Sequence, residues 1–392
     1  MRTFVAILTL VLVATQAEGR GRDLGIPFEG TPGPLNAITD VPGVEVGQKT
    51  LIEGQNVRTG VTVIFPRGRA GSKPVYGGFF DLNGNGEMTG RAYLEDFGIV
   101  QGPIGISNSN AIGQLYAAIQ QWTSKRFGSA TWPVVAETWD GYLNDIEGFH
   151  VTAETAAAAL DAAKPGAVEE GNVGGGTVMV CFGFKGGIGT SSRVVSVGGK
   201  TYTVGVLVQC NTGDRKVLRI AGAPVGLELK DRWLRCFDAS VVRSAGTLPP
   251  CKADGLAGKA APDEGSIIIV VGTDAPLTPL QLNRVARRAA MGLARLGSYS
   301  GNQSGDLIVS FSTASPEVNA AEQDKPSPIS PLANLDVDPL FEAATQASEE
   351  AIVNALVAAR TMTGINGTRF FAIPHDELRA ILKRYNRLEA SR

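Results

Sequence analysis

The stretch AGTLPPCKADGLAGKAAPDEGSIIIVVGT, residues 245–273, changes character at a single peptide bond. Up to Glu264 it holds small, charged and turn-forming residues without apolar periodicity, the pattern of an exposed loop. From Ile267 to Val271 it is an unbroken β-branched run, the pattern of a strand buried on both faces. Ser266 therefore stands at the mouth of a buried strand, with a cleavable segment before it. If the Gly265–Ser266 bond breaks, Ser266 gains a free α-amine beside its own hydroxyl. A nucleophile and a base then share one residue. Glycine suits the residue given up, because it tolerates the strained backbone a serine hydroxyl would attack.

The downstream helix is well specified. Thr278 supplies a cap, Pro279 the first helical position, Gln281 completes a capping box and Gly297 follows the last turn. Leu282, Val285, Ala286, Ala289, Leu293 and Leu296 form one apolar stripe. Further strands are predicted at 59–66, 133–138, 177–183, 202–209 and 306–312, and helices at 109–126, 152–164, 339–363 and 376–388. Strands and helices cluster in mixed order instead of alternating strictly, which predicts α+β layering and not a doubly wound parallel sheet. No internal repeat is evident, and no charged or Ser/Gly linker divides the chain, so one large domain is expected.

Composition narrows the function. The chain has 392 residues, 43% of them hydrophobic and 19% charged, with a formal net charge of −2. No basic footprint argues for nucleic acid. The 49 glycines imply many tight turns. Arg2, an apolar run from Phe4 to Val13 and the small-residue site at Ala14–Ala17 describe a secretory signal peptide over 1–17. That run is too short to span a bilayer, and no later segment is long enough. An exported, periplasmic protein without a membrane span is expected. Of the four cysteines, Cys181 and Cys210 lie in apolar strand-like runs and read as buried thiols, while Cys236–Cys251 is an allowable disulfide in an oxidising compartment.

Most familiar catalytic patterns fail. Only His150 and His375 are present, with no zinc-binding His pair at helical spacing and no Cys-x-x-Cys. Neither histidine has a Gly-x-Ser-x-Gly elbow as companion, and both read as structural. The segment from Asp81 to Gly86 starts like a calcium loop, but Ala92 stands where a bidentate Glu is needed. Gly84-x-Gly86-x-x-x-Gly90 has one residue too many for a dinucleotide fingerprint, and Gly174–Gly176 lacks the Lys-Ser/Thr of a phosphate loop. Asn366-Gly-Thr is a formal glycosylation sequon that reads as a turn. No metal or organic cofactor is expected. With histidine so scarce, an α-amine is an attractive base, since its unperturbed pKa of about 7.7–8.0 suits proton transfer near neutrality.

The run GSIIIVVGTDAPLTPLQLNRVARRAAMGLAR, together with NQSGDLIVSFSTA, resembles the β-subunit start of the self-cleaving serine aminopeptidases. That family comprises the β-peptidyl aminopeptidases and the L-aminopeptidase D-amidase/D-esterases. The resemblance extends through DLNGNGEMTG (81–90), VVAETWDGYLNDIEGFHV (134–151) and VGVLVQCNTGDR (204–215), over essentially the whole mature chain. It implies a four-layer αββα sandwich like that of the amine-terminal-nucleophile hydrolases. It also implies self-cleavage into an α chain, 18–265, and a β chain, 266–392, with 237–265 a flexible linker before the cut. The two chains would remain paired and assemble as a tetramer of heterodimers.

By the same resemblance, Ser266 is the nucleophile of autocleavage and hydrolysis, and Asn211 the oxyanion donor. Ser304 orients the nucleophile, and Asp306 stands where the family usually has Glu, one methylene longer. Glu137 matches a carboxylate that clamps the free amino group of a small peptide or amide substrate. A family tyrosine falls within ETWDGYLND, on Trp139 or Tyr142; Tyr142 is carried as the catalytic candidate. The expected activity is release of N-terminal β-amino acids, a preference drawn from export and from the Glu137–Asn211 spacing of that subgroup. Action on α-amino acid amides and esters is the alternative. An acyl transferase like the ornithine acetyltransferases, which use threonine, and a non-catalytic binding protein are more distant readings.

Overall fold

The computed structural model describes residues 19–71, 73–261, 265–314 and 330–388. The signal peptide predicted at 1–17 and the linker residues 262–264 lie outside them. In chain order, the strands of the two main sheets are β1 (Glu45–Glu53), β2 (Val57–Phe65), β3 (Val75–Gly84), β4 (Ile99–Val100) and β5 (Ile104–Asn108). β6 (Val134–Thr138), β7 (Gly187–Val197), β8 (Lys200–Asn211), β9 (Ser266–Thr273) and β10 (Gly305–Ser312) complete them. One sheet has the order β1-β2-β5-β6, the other β4-β3-β10-β9-β8-β7. Each contains a single parallel pair, β5–β6 and β9–β10.

Among the described residues, four helices cover the outer faces of the two sheets. α1 (Ile112–Phe127) and α2 (Ala153–Asp161) lie on the four-stranded sheet; α3 (Pro279–Arg295) and α4 (Asp338–Val357) lie on the six-stranded one. Three apolar cores separate the four layers, giving an αββα sandwich. Val61, Val63 and Val135 meet Leu115, Ile119 and Leu160 in the first. Ile64, Ile104 and Ile106 meet Leu207, Ile268, Val270 and Leu307 between the sheets. Ile267, Ile269 and Val271 meet Leu282, Val285, Ala289 and Ala347 in the third. The β-branched run of β9 thus alternates between two cores, which is why no polar residue interrupts it. At the start of α3, the Thr278 hydroxyl accepts from the Gln281 N–H at 3.2 Å and the Gln281 side chain accepts from the Thr278 N–H at 2.9 Å, the predicted capping box.

Four local expectations are corrected. The strand predicted at 177–183 is instead a turn, which follows the 3₁₀ segment Gly174–Gly176, and then the first arm and tip of a short hairpin pairing Val180–Cys181 with Phe184–Lys185. Phe182 and Gly183, both at positive φ, turn the chain there. Cys181 and Cys210 are not thiols: they form a disulfide with Cα atoms 5.4 Å apart, because the hairpin folds back onto the end of β8. The helix predicted at 339–363 ends at Val357, and Met362–Thr363 pairs instead with Thr368–Phe370. β1, β3, β4, β5 and β7 were not predicted: the glycine pair in β3 and the polar residues of β1 and β7 mask their alternation, and β4 and β5 are short.

The Cys236–Cys251 disulfide is present. Over its described part, 237–261, the predicted linker is tied back at several points. Cys251 donates to the Phe237 carbonyl at 2.8 Å, Lys259 to the Arg235 carbonyl at 2.9 Å, and Arg369 pairs with Asp238.

Candidate active site

β9 begins at Ser266, and register places that residue opposite Asn211, the last residue of β8, and Gly305, the first of β10. Three distant segments therefore converge because three strands end together. The junction is closely built. A Cβ on Gly265 would stand 2.0 Å from the Asn211 carbonyl oxygen, and one on Gly305 would stand 2.4 Å from that of Asn85. Only glycine fits either place.

Ser266 is 5% exposed, and its Oγ accepts the Gly305 N–H at 3.1 Å. Beside it, the Ser304 hydroxyl donates to Asp306 Oδ1 at 2.7 Å and lies 3.0 Å from the Thr212 hydroxyl. Asp306 Oδ1 also accepts the Ile267 N–H at 3.2 Å. The shorter aspartate therefore reaches Ser304, since both residues flank the first residue of a buried strand. The Asn211 amide is held at both ends: Oδ1 accepts the Val180 N–H at 2.7 Å, and Nδ2 donates to the Trp139 carbonyl at 2.8 Å.

The opposite wall comes from the parallel ends of β5 and β6. Glu137 Oε1 accepts the Glu87 N–H at 3.1 Å, and Oε2 accepts the Ser109 hydroxyl. Burial raises this carboxyl above its usual range, and the Ser109 hydroxyl and the Glu87 N–H pull partly against that shift. Three residues on, Asp140 is pushed up to about 6 by burial; it accepts from the Asn108 and Asn144 amides, each at 3.0 Å, and so fixes the turn carrying Trp139. Between the walls lies a cavity of 340 Å³ lined by Asn85, Ser109, Glu137, Trp139, Gly265, Ser266 and Gln303. A buried carboxylate and a buried hydroxyl facing one small cavity suit a ligand with an ammonium group at one end and an electrophile nearby. A larger surface hollow of 710 Å³, walled by Tyr93, Phe97, Tyr116 and Trp132, does not contain Ser266.

Ser266, Gly265 and Glu137 thus share the cavity, while Asn211, Ser304 and Asp306 surround its serine. Tyr142 is not among the lining residues. Its ring packs edge-on against the Trp139 indole, centroids 4.8 Å apart, and against Phe370. Both histidines are engaged elsewhere, His150 with Asp145 at 3.0 Å and His375 with the Val357 carbonyl at 2.9 Å. Sequence reasoning missed Asn85, Ser109, Gln303 and Thr212. Asn85 lay in a glycine-rich stretch that reads as a turn, and Ser109 in a predicted helix start.

Residues 36–370 match the model of peptidase family S58. The chain is 50% identical to the β-peptidyl aminopeptidase BapA of Sphingosinicella microcystinivorans over 99% of both chains. It is 45% identical to the BapA of Sphingosinicella xenopeptidilytica, over 96% of this chain and 94% of that one. Among solved structures, the L-aminopeptidase D-Ala-esterase/amidase of Ochrobactrum anthropi, a prototype for the serine aminopeptidases and a variant of the Ntn hydrolase fold, superposes with a TM-score of 0.83. It is 42% identical, covering 94% of this chain and 99% of its own. Sequence, architecture and the cavity around Ser266 agree: the chain belongs to peptidase family S58 and is a hydrolase with the Ntn-hydrolase fold.

Proposed function

We propose that this aminopeptidase releases N-terminal β-amino acids from short peptides and amides through an acyl-enzyme on Ser266, after cutting itself at Gly265–Ser266. The observation that carries this reading is the shared cavity, with Ser266 on one wall and the buried Glu137 on the other. In the cut enzyme, the Ser266 α-amine takes the proton of Oγ as Oγ attacks the substrate carbonyl. The remaining N–H of Asn211 Nδ2 stabilises the oxyanion, a contribution of ~3–4 kcal/mol for one such donor. The protonated amine then gives its proton to the leaving amine, and water releases the acyl group by the reverse sequence. Glu137 pairs with the substrate ammonium, which limits cleavage to the amino terminus.

The β-amino acid preference follows the two BapA relatives, and action on α-amino acid amides and esters follows the Ochrobactrum enzyme. Both disulfides suit an oxidising compartment, which supports export. Oligomers of the paired chains are part of the same reading. Two measurements test it. Mass spectrometry of the purified protein should find two fragments with Ser266 as the new amino terminus, and one uncut chain for Ser266→Ala. β-Alanyl amide should be hydrolysed faster than L- or D-alanine amide. A fully active uncut wild type would overturn the mechanism, and a clear α-preference would overturn the substrate class.

A further inference from the structure

The Asn211 amide is oriented by two hydrogen bonds of opposite sense, one received by Oδ1 from Val180 and one given by Nδ2 to Trp139. Flipping the amide would set donor against donor and acceptor against acceptor, so the pair selects one orientation and leaves one Nδ2 hydrogen to serve a ligand. The orientation therefore depends on where Val180 is held. Val180 belongs to a hairpin with only two residue pairs, Val180 with Lys185 and Cys181 with Phe184. A ribbon that short has little stability of its own.

Three devices fix it. The Cys181–Cys210 disulfide joins the residue after Val180 to the residue before Asn211, closing covalently the ring that contains the Val180–Asn211 hydrogen bond. The fully buried Lys185 ammonium donates to the Met179 and Gly186 carbonyls, both at 2.9 Å, at the two ends of the hairpin. Burial lowers its pKa well below the usual lysine value, which marks how costly that placement is. At the tip, Phe182 donates to the Thr212 carbonyl at 2.6 Å, and Arg215 Nε donates to the Phe182 carbonyl at 3.0 Å.

We infer that the 179–186 hairpin, stapled to β8 by Cys181–Cys210 and braced by Lys185, is a positioning device that aims Asn211 at the reacting carbonyl. This rests on Asn211 being the oxyanion donor. A donor used only in the transition state affects kcat and not KM. The test compares C181A/C210A and Lys185→Met with wild type, with Asn211→Ala and with C236A/C251A, which removes the disulfide that does not join the hairpin to β8. Hydrolysis of β-alanyl and L-alanyl p-nitroanilide is measured well below each melting temperature.

The expected result is a kcat at least tenfold lower in C181A/C210A and in Lys185→Met, with KM within about twofold of wild type. C236A/C251A should keep its kcat despite a comparable loss of melting temperature, and adding Asn211→Ala to C181A/C210A should cost less than Asn211→Ala alone. The inference falls if C181A/C210A and Lys185→Met keep wild-type kcat while Asn211→Ala loses the 10²–10³-fold typical of such donors. Wild-type kcat in Asn211→Ala would instead refute the oxyanion assignment itself.

Discussion

Glu137 is a buried carboxylate whose value to the site depends on being ionised. Burial holds its pKa above the usual glutamate range, and the Ser109 hydroxyl opposes that shift. The ionised form binds an ammonium, so kcat/KM should fall as pH drops through this raised pKa, above the ~4.3 of a free glutamate. Ser109→Ala removes an interaction that favours the anion and should move the acidic limb further up. The Ser266 α-amine, as the base, adds its own acidic titration at ~7.7–8.0, so Glu137→Gln should remove only the Glu137 step from the limb and raise KM. A pH–rate profile of the three proteins checks this, and an unmoved limb in Ser109→Ala would separate Glu137 from the titration. At this scale the sequence was readable only where chemistry left a local trace. Ser266 and Gly265 stood out at a loop-to-strand boundary, and scarce histidine pointed to a self-supplied base. Ser109 and Thr212 left no such trace, because their roles arise from strand ends that meet only after folding.

β9 carries the site because both its faces are sealed. Ile268 points between the sheets and Ile267 toward α3 and α4, and each is 0% exposed. Ile268→Ala should destabilise by ~2–5 kcal/mol, read from denaturant unfolding of the uncut Ser266→Ala protein, where cleavage does not complicate the two-state fit. Thr278→Ala should cost only ~1 kcal/mol, since it removes one cap from one helix. Equal losses in the two variants would contradict this account of where β9 derives its stability. β9 and α3 were legible because each sits in a continuous apolar pattern with clear punctuation. The 179–186 hairpin was not. Its residues read as one strand until Phe182 and Gly183 turn the chain, and that turn is what brings Cys181 to Cys210.

Across the whole molecule, the two halves of the chain are interleaved. In the six-stranded sheet, β9 and β10 are adjacent and central; β3 and β4 flank them on one side, β8 and β7 on the other. The β9–β10 pair, which follows the proposed cut, is therefore hydrogen-bonded on both sides to strands that precede it. α4 adds a second tie. Its buried Glu350 accepts from Arg22 at 2.8 Å twice, from Arg193 at 2.7 Å and from Asn36 at 2.6 Å. Glu350→Gln would leave buried guanidinium charge poorly matched and should cost ~3–5 kcal/mol. Cleavage at Gly265–Ser266 removes one covalent bond and none of these contacts. The cut protein should therefore elute from a sizing column as one species containing both fragments, and the fragments should part only in denaturant. Glu350→Gln should lower the denaturant concentration at which they part. Separation of wild-type fragments in native buffer would contradict the interleaved sheet.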